Sequence, residues 1–180
     1  MKPTDRDRAF ADAVRAVSDR VRCRYGMAVV TGPVAEPFKG DLDGAEIVIA
    51  TGLDPETSLF LLVHLFGHAV QWNVDERARK LGMRMPVNPD ERLLDALGDY
   101  EREACRYGQH LLHESGVTDL DQWLADHAAC DHAYLRHFYV TGERLPFRRF
   151  WRDGNPLLKP LPIPGFTPRR WRRRGRAIVV

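Results

Sequence analysis

The chain has 180 residues, enough for one domain with a core of its own, and its 44% apolar and 29% charged residues are the balance of an ordinary globular protein. A net charge of +2 excludes a polycation held to nucleic acid by charge alone, although six arginines crowd into RRWRRRGR, Arg169–Arg176. The longest apolar run, Leu59–Phe66, is broken by His64 and too short for a bilayer, and no signal-like apolar core opens the chain. With Cys23, Cys105 and Cys130 forming neither a CxxC pair nor a disulfide framework, a soluble, cytoplasmic protein with no membrane partner is expected.

In chain order, Arg6–Arg22 sets Phe10, Val14, Val17 and Val21 at helical spacing, which predicts an amphipathic helix lying over a sheet. Met27–Thr31 and Glu46–Thr51 are short β-branched runs bounded by glycine and proline and read as strands; the turn-rich stretch between them has room for a third near Phe38. Asp54 and Pro55 have the character of an N-cap and a first helical residue, with Glu56 in the first turn, and the helix they open runs to about Trp72. A polar segment follows, ending in Asn88 and Pro89, a second such pair. It opens a helix carrying Leu93, Leu94, Leu97, Tyr100, Ala104 and Leu111 and reaching His113. Gly98 and Gly108 weaken that helix by about 1 kcal/mol each, a cost that close approach to the preceding long helix would explain.

Thr118–Tyr139 reads as a further helix, capped by Thr118 and closed by Gly142. The compact core is expected to end near Phe150, dividing the chain into a domain over residues 1–150 and an arm over 151–180. Five prolines between Asn155 and Pro168 keep the arm extended. Leu157, Leu158, Leu161, Ile163 and Phe166 among them imply that it packs on the domain.

The chemistry concentrates in HLFGH, His64–His68. Two histidines four residues apart lie one turn from each other on one helix face, the usual half of a zinc site. A third ligand is available from the next long helix, where YEREACRYG offers Glu101 and Glu103. Cys105 shares a face with Glu101; as a thiolate it would close a four-ligand site, which is structural and inert. Metal-free readings stand beside these: core histidines bonded to backbone carbonyls, and glutamates paired with Arg102 and Arg106. His110 and His113 have the spacing of a second, weaker site. Arg169–Arg176, with Trp171 interleaved, fits phosphate contact with base stacking, a clamp on an acidic partner, or a solvated tail.

DGAEIVIATG, then ETSLFLLVHLFGHAVQW, then YEREACRYGQHLL resembles the ImmA/IrrE family of metallopeptidases over about residues 10 to 115. Members carry a strand, a helix with HExxH and a later helix with a glutamate signature. The resemblance implies an α+β, zincin-like fold: a small sheet, metal-bearing helices and, here, an extended C-terminal arm. It implies one zinc ion held by His64, His68 and Glu101, with Glu103 the runner-up third ligand. It also implies a protein partner, a transcriptional regulator being the class such enzymes act on.

Three residues depart from the family pattern: Leu65 where the general-base glutamate belongs, Cys105 for Asn or Asp, and Gly108 for a common Ala. Losing a positioned base removes about 10²–10⁴ of rate. The expected function is therefore a metal-binding protein whose peptidase activity is impaired or lost. The alternatives are a hydrolase taking its base from Glu103 or a later histidine, a metal enzyme of non-hydrolytic chemistry, and a metal-free interaction module.

Overall fold

The computed structural model describes residues 4–83 and 89–172. Along them run α1 (Asp5–Tyr25), β1 (Ala28–Gly32), β2 (Gly40–Leu42), β3 (Glu46–Ala50), α2 (Pro55–Val74), α3 (Glu76–Gly82), α4 (Glu91–Glu114) and α5 (Asp121–Thr141). Helices and a small mixed sheet make the class α+β. No described helix is long and apolar enough to cross a membrane.

The element the rest surrounds is α2. Asp54 caps it, accepting a hydrogen bond from Thr57 N, and every residue from Leu59 to Trp72 is buried. A helix apolar on all sides must be covered on all sides. One cover is α1, opened by a capping box in which Thr4 and Asp7 each accept the other's backbone N–H. It buries Phe10, Val17 and Val21, packing along α2 and also against β1 of the sheet.

The sheet, in the order β1-β3-β2, is a second cover. β1 runs parallel to β3, and β2 runs antiparallel to it. The third strand expected near Phe38 thus forms two residues later, at Gly40. Asp43 Oδ1 fixes the β2–β3 turn by accepting from the backbone N–H of Ala45 and Glu46, each at 2.8 Å. Central β3 buries Ile47, Val48 and Ile49 consecutively, as a strand covered on both faces does.

The third cover is α4, and here backbone meets backbone. A Cβ on Gly67 would lie 2.0 Å from the Ala104 carbonyl oxygen, and one on Gly108 would lie 2.8 Å from that of Val63. Gly108 therefore has the expected cause. Gly98 does not: it makes room for His132 of α5, whose Nε2 would stand 2.5 Å from an added Cβ.

Helix starts depart from the sequence reading in two places. Asp90 caps α4 by accepting from Leu93 N, while Asn88 lies outside the described residues. α5 begins at Asp121 without a side-chain cap, not at Thr118. Gly116, at φ 80°, turns the chain there, and Val117 and Leu120 pack on the core, so this segment reverses direction before the helix can start. The polar segment after α2 also contains α3, capped by Asp75.

Beyond α5 a turn of 3₁₀ helix, Phe147–Phe150, leads into an extended arm. Asn155 N and Nδ2 donate to the buried Asp126 carboxylate at 2.8 and 2.9 Å. Leu161 N donates to Arg106 O, and Arg106 Nε to Lys159 O. Leu158, Leu161, Ile163 and Phe166 pack on the core, with the Phe166 ring stacked on Tyr25, whereas Leu157 is exposed.

Alanine at an unconstrained helical glycine stabilises by about 1 kcal/mol. Gly67→Ala should instead destabilise the protein by roughly 3 kcal/mol or more, because the methyl group forces α2 and α4 apart. Urea unfolding of wild type and variant checks the sign; a stabilised variant would contradict the close crossing.

Candidate metal centre

The α2–α4 crossing brings three sequence-separated groups together. His64 and His68 project from α2, and Glu101, three residues before the contact at Ala104, projects from α4. The two Nε2 atoms are 3.0 Å apart, and Glu101 Oε2 lies 3.0 Å from His68 Nε2 and 3.2 Å from His64 Nε2. All three residues are buried. Burial alone raises the Glu101 carboxyl, but attraction to His68 and the close approach of both imidazoles outweigh it and hold it well below the usual carboxylate range.

A hydrogen-bonded trio and a metal site can share such distances, and the other side of each ring separates them. Gln71, one turn beyond His68, directs its Nε2 at the Tyr100 carbonyl (2.9 Å) and the Glu103 carboxylate (2.7 Å). Both are acceptors, so the Gln71 amide orientation is fixed and its Oε1 faces His68 Nδ1 at 2.9 Å. That oxygen only accepts. His68 therefore carries a proton on Nδ1 and, when neutral, presents a lone pair at Nε2. On His64, Nδ1 faces Cys105 Sγ at 3.3 Å. The Tyr100 ring stacks on His68 and the Phe60 ring on His64, which fixes both imidazole planes.

The His68 lone pair, the His64 imidazole and a carboxylate thus converge from rigid helices, an arrangement that a cation satisfies. Donors bonded at about 2.0–2.2 Å around a tetrahedral zinc stand roughly 3.3 Å apart, close to the separations here. The donor set fits a divalent metal and, with two imidazoles and one carboxylate, suits zinc.

Other candidates take different places. Glu103 contacts Gln71, so it serves the ring of His68 from behind. Cys105 also lies behind, at Nδ1 of His64; burial pushes its thiol well above its ordinary pKa, with Asp131 and Glu101 adding to the rise. His110 approaches Glu114 at 3.6 Å and His113 approaches Asp121 at 2.7 Å, so the two do not share a site. Among the described residues, His64, His68 and Glu101 form the one cluster with metal-ligand spacing. Leu65 packs under the sheet: its Cδ1 stands 2.7 Å from where a Cβ of Gly40 would be.

Two of the described arginines of the C-terminal cluster pair with acids of the domain, Arg170 from an exposed side chain and Arg172 from a largely covered one. Arg170 pairs with Asp43 at 3.3 Å and Glu46 at 3.4 Å, and Arg172 pairs with Asp41. Trp171 donates to Asn73 and is covered by the Arg79 guanidinium, 3.8 Å from its ring. Arg169 is exposed and donates its backbone N–H to Asn73 Oδ1, and Arg173, Arg174 and Arg176 lie outside the described residues.

Two functional neighbours escaped the sequence reading. Gln71 had a local signal, a polar residue one turn after His68 on a buried helix. Asp131, on α5, places Oδ2 3.9 Å from His64 Nε2. Burial pushes its carboxyl up to about 7, with attraction to His64 opposing the rise and Glu101 adding to it. Its signal was an acid on the same helix face as Leu124 and Leu135.

Comparison with family models, curated proteins and solved structures gives no match for the chain.

Removing a group that orients a metal-binding histidine typically weakens metal affinity 10–100-fold. Gln71→Ala should lower zinc affinity by about that factor, and Glu103→Gln should alter it far less, because Gln71 keeps Tyr100 O as an anchor. Competition titrations with a chromogenic chelator measure both. Equal losses in the two variants would assign Glu103 a ligand's part.

Proposed function

We propose that this protein binds one zinc ion through His64, His68 and Glu101 and is a zincin-like relative of the ImmA/IrrE metallopeptidases with impaired or lost peptidase activity. The observation that carries the metal reading is the fixed Gln71 amide, which leaves His68 Nε2 as a lone pair aimed at another imidazole and a carboxylate. When bound, zinc supplies Lewis acidity. The chain holds it, excludes bulk water with Phe60 and Tyr100, and orients both imidazoles from behind.

Two observations support loss of peptidase activity. Leu65 is apolar and packed beneath β2, so α2 offers no carboxylate at the position HExxH proteins use. The outer edge of β2, where an extended peptide would add as another strand, is engaged by the chain itself: Arg172 Nε donates to Leu42 O at 2.6 Å and Trp171 N to Asp43 O at 2.8 Å. Binding a regulatory protein partner, the role the family resemblance suggests, is the biological activity we assign.

Elemental analysis tests the metal reading. Protein purified without chelators and offered zinc should retain about one equivalent, and His64→Ala, His68→Ala and Glu101→Gln should each lose most of it. A wild type that stays metal-free defeats the proposal.

The peptidase reading has its own test. Zinc-loaded wild type should show no chelator-sensitive cleavage of a broad peptide library. Leu65→Glu should not create such cleavage. Its carboxylate enters an apolar contact with Gly40, and in the metal-free protein it should cost about 3–5 kcal/mol, read by denaturant unfolding. Robust cleavage by wild type would overturn the pseudo-peptidase assignment while leaving the metal centre standing.

A further inference from the structure

Asp131 is buried, 4% exposed, and its Oδ2 has no hydrogen-bond partner among the described residues. A carboxylate oxygen taken out of water without a donor is costly and calls for a missing partner. His64 Nε2 lies 3.9 Å from Asp131 Oδ2. Yet Asp131 is outside the group whose ligand atoms all lie within 4.8 Å of one another. A fourth tetrahedral ligand would stand about 3.3 Å from each of the other three. The carboxylate therefore sits beyond the ring of ligands and faces it across a gap.

On its other side Asp131 lines a cavity of about 400 Å³, together with Lys39, Phe60, His127, Tyr134 and Phe147. That volume suits a small molecule. Phe60, which stacks on His64 with ring centres 5.3 Å apart, also lines it. Cavity and metal group thus adjoin at Asp131 and Phe60.

We propose that Asp131 faces the open position of the metal centre and holds there, by accepting a hydrogen bond, a small protic ligand delivered from the cavity. It rests on the metal reading above. Position 65 of α2, being leucine, provides no acceptor; α5 supplies one in Asp131. The ligand class follows from hydrogen bonding: the unpartnered Oδ2 can accept, so water or a hydroxamic acid brings a proton for it, whereas an aprotic anion brings none. Asp131 is a positioning residue for that ligand.

The test uses the full chain loaded with one equivalent of Co²⁺, titrated with acetohydroxamic acid or azide while the visible spectrum is followed. Asp131→Asn should keep its cobalt, bind acetohydroxamic acid about tenfold more weakly than wild type, and bind azide more tightly. Asparagine preserves the shape of Asp131 and removes a buried unpaired charge; circular dichroism checks the fold, and Asp131→Ser repeats the comparison if the first variant does not fold. Unchanged affinity for both ligands overturns the proposal. So does loss of cobalt from the variant, which would make Asp131 a metal ligand itself. If wild type takes up no cobalt, the metal reading fails and this inference with it; if wild type loads and only the ligand preference stays unmoved, this inference alone fails.

Discussion

The close crossing of α2 and α4 is the constraint on which everything else depends. Side-chain packing normally keeps helix axes 8–10 Å apart. At Gly67 and Gly108 no side chain intervenes, and each helix rests on carbonyl groups of the other, at Ala104 and Val63. Val63 and Gly67 adjoin His64 and His68 in sequence, and Ala104 follows Glu101 by three residues. With ordinary residues at those glycines, the helices would separate by the width of a methyl group, and one carboxylate oxygen would no longer meet two imidazoles. Two residues without side chains therefore set the dimensions of the polar centre.

That centre is expensive for the fold. Five groups able to bear charge or strong dipoles, namely His64, His68, Gln71, Glu101 and Asp131, lie close together in an interior whose larger part is leucine, valine and aromatic residues. Most are repaid locally: Gln71 joins α2 to the backbone of α4, Trp72 Nε1 donates to Tyr100 Oη at 2.8 Å, and the Glu101 carboxylate faces Nε2 of both histidines. A simple hydrophobic core of equal volume would be easier to assemble. Four of the five polar groups lie on the two helices in closest contact, and Asp131 reaches them from α5.

Much of this was legible in the sequence because helical periodicity is local information. The spacing of His64 and His68, the strands on either side of the turn at Asp43, the extended packed arm and the candidate Glu101 all follow from patterns within single segments. What escaped depends on which neighbour a helix face meets. Gly98 and Gly108 look alike in sequence, yet one accommodates α5 and the other α2. Cys105 shares a helix face with Glu101, yet it reaches the opposite nitrogen of His64. Asp131 belongs to a helix with no motif, 30 residues after Glu101, and only tertiary packing brings it to the histidines. Thr118 has a good capping residue's chemistry, but burial of Val117 and Leu120 outweighs a cap worth about 1 kcal/mol.

The C-terminal arm has a kinetic consequence. Its residues 155 to 172 touch, in succession, Asp126 of α5, Arg106 of α4, Tyr25 of α1 and the β2 edge at Leu42. Each of those partners is synthesised before the arm, and the last by about 130 residues. At translation speeds of about 5–20 residues per second, the β2 edge waits several seconds before its cover exists. Unpaired strand edges are templates for joining other chains. The nascent protein thus passes through an interval in which its sheet is complete but unguarded, and the arginine–aspartate pairs at Asp41 and Asp43 are the closure that ends it.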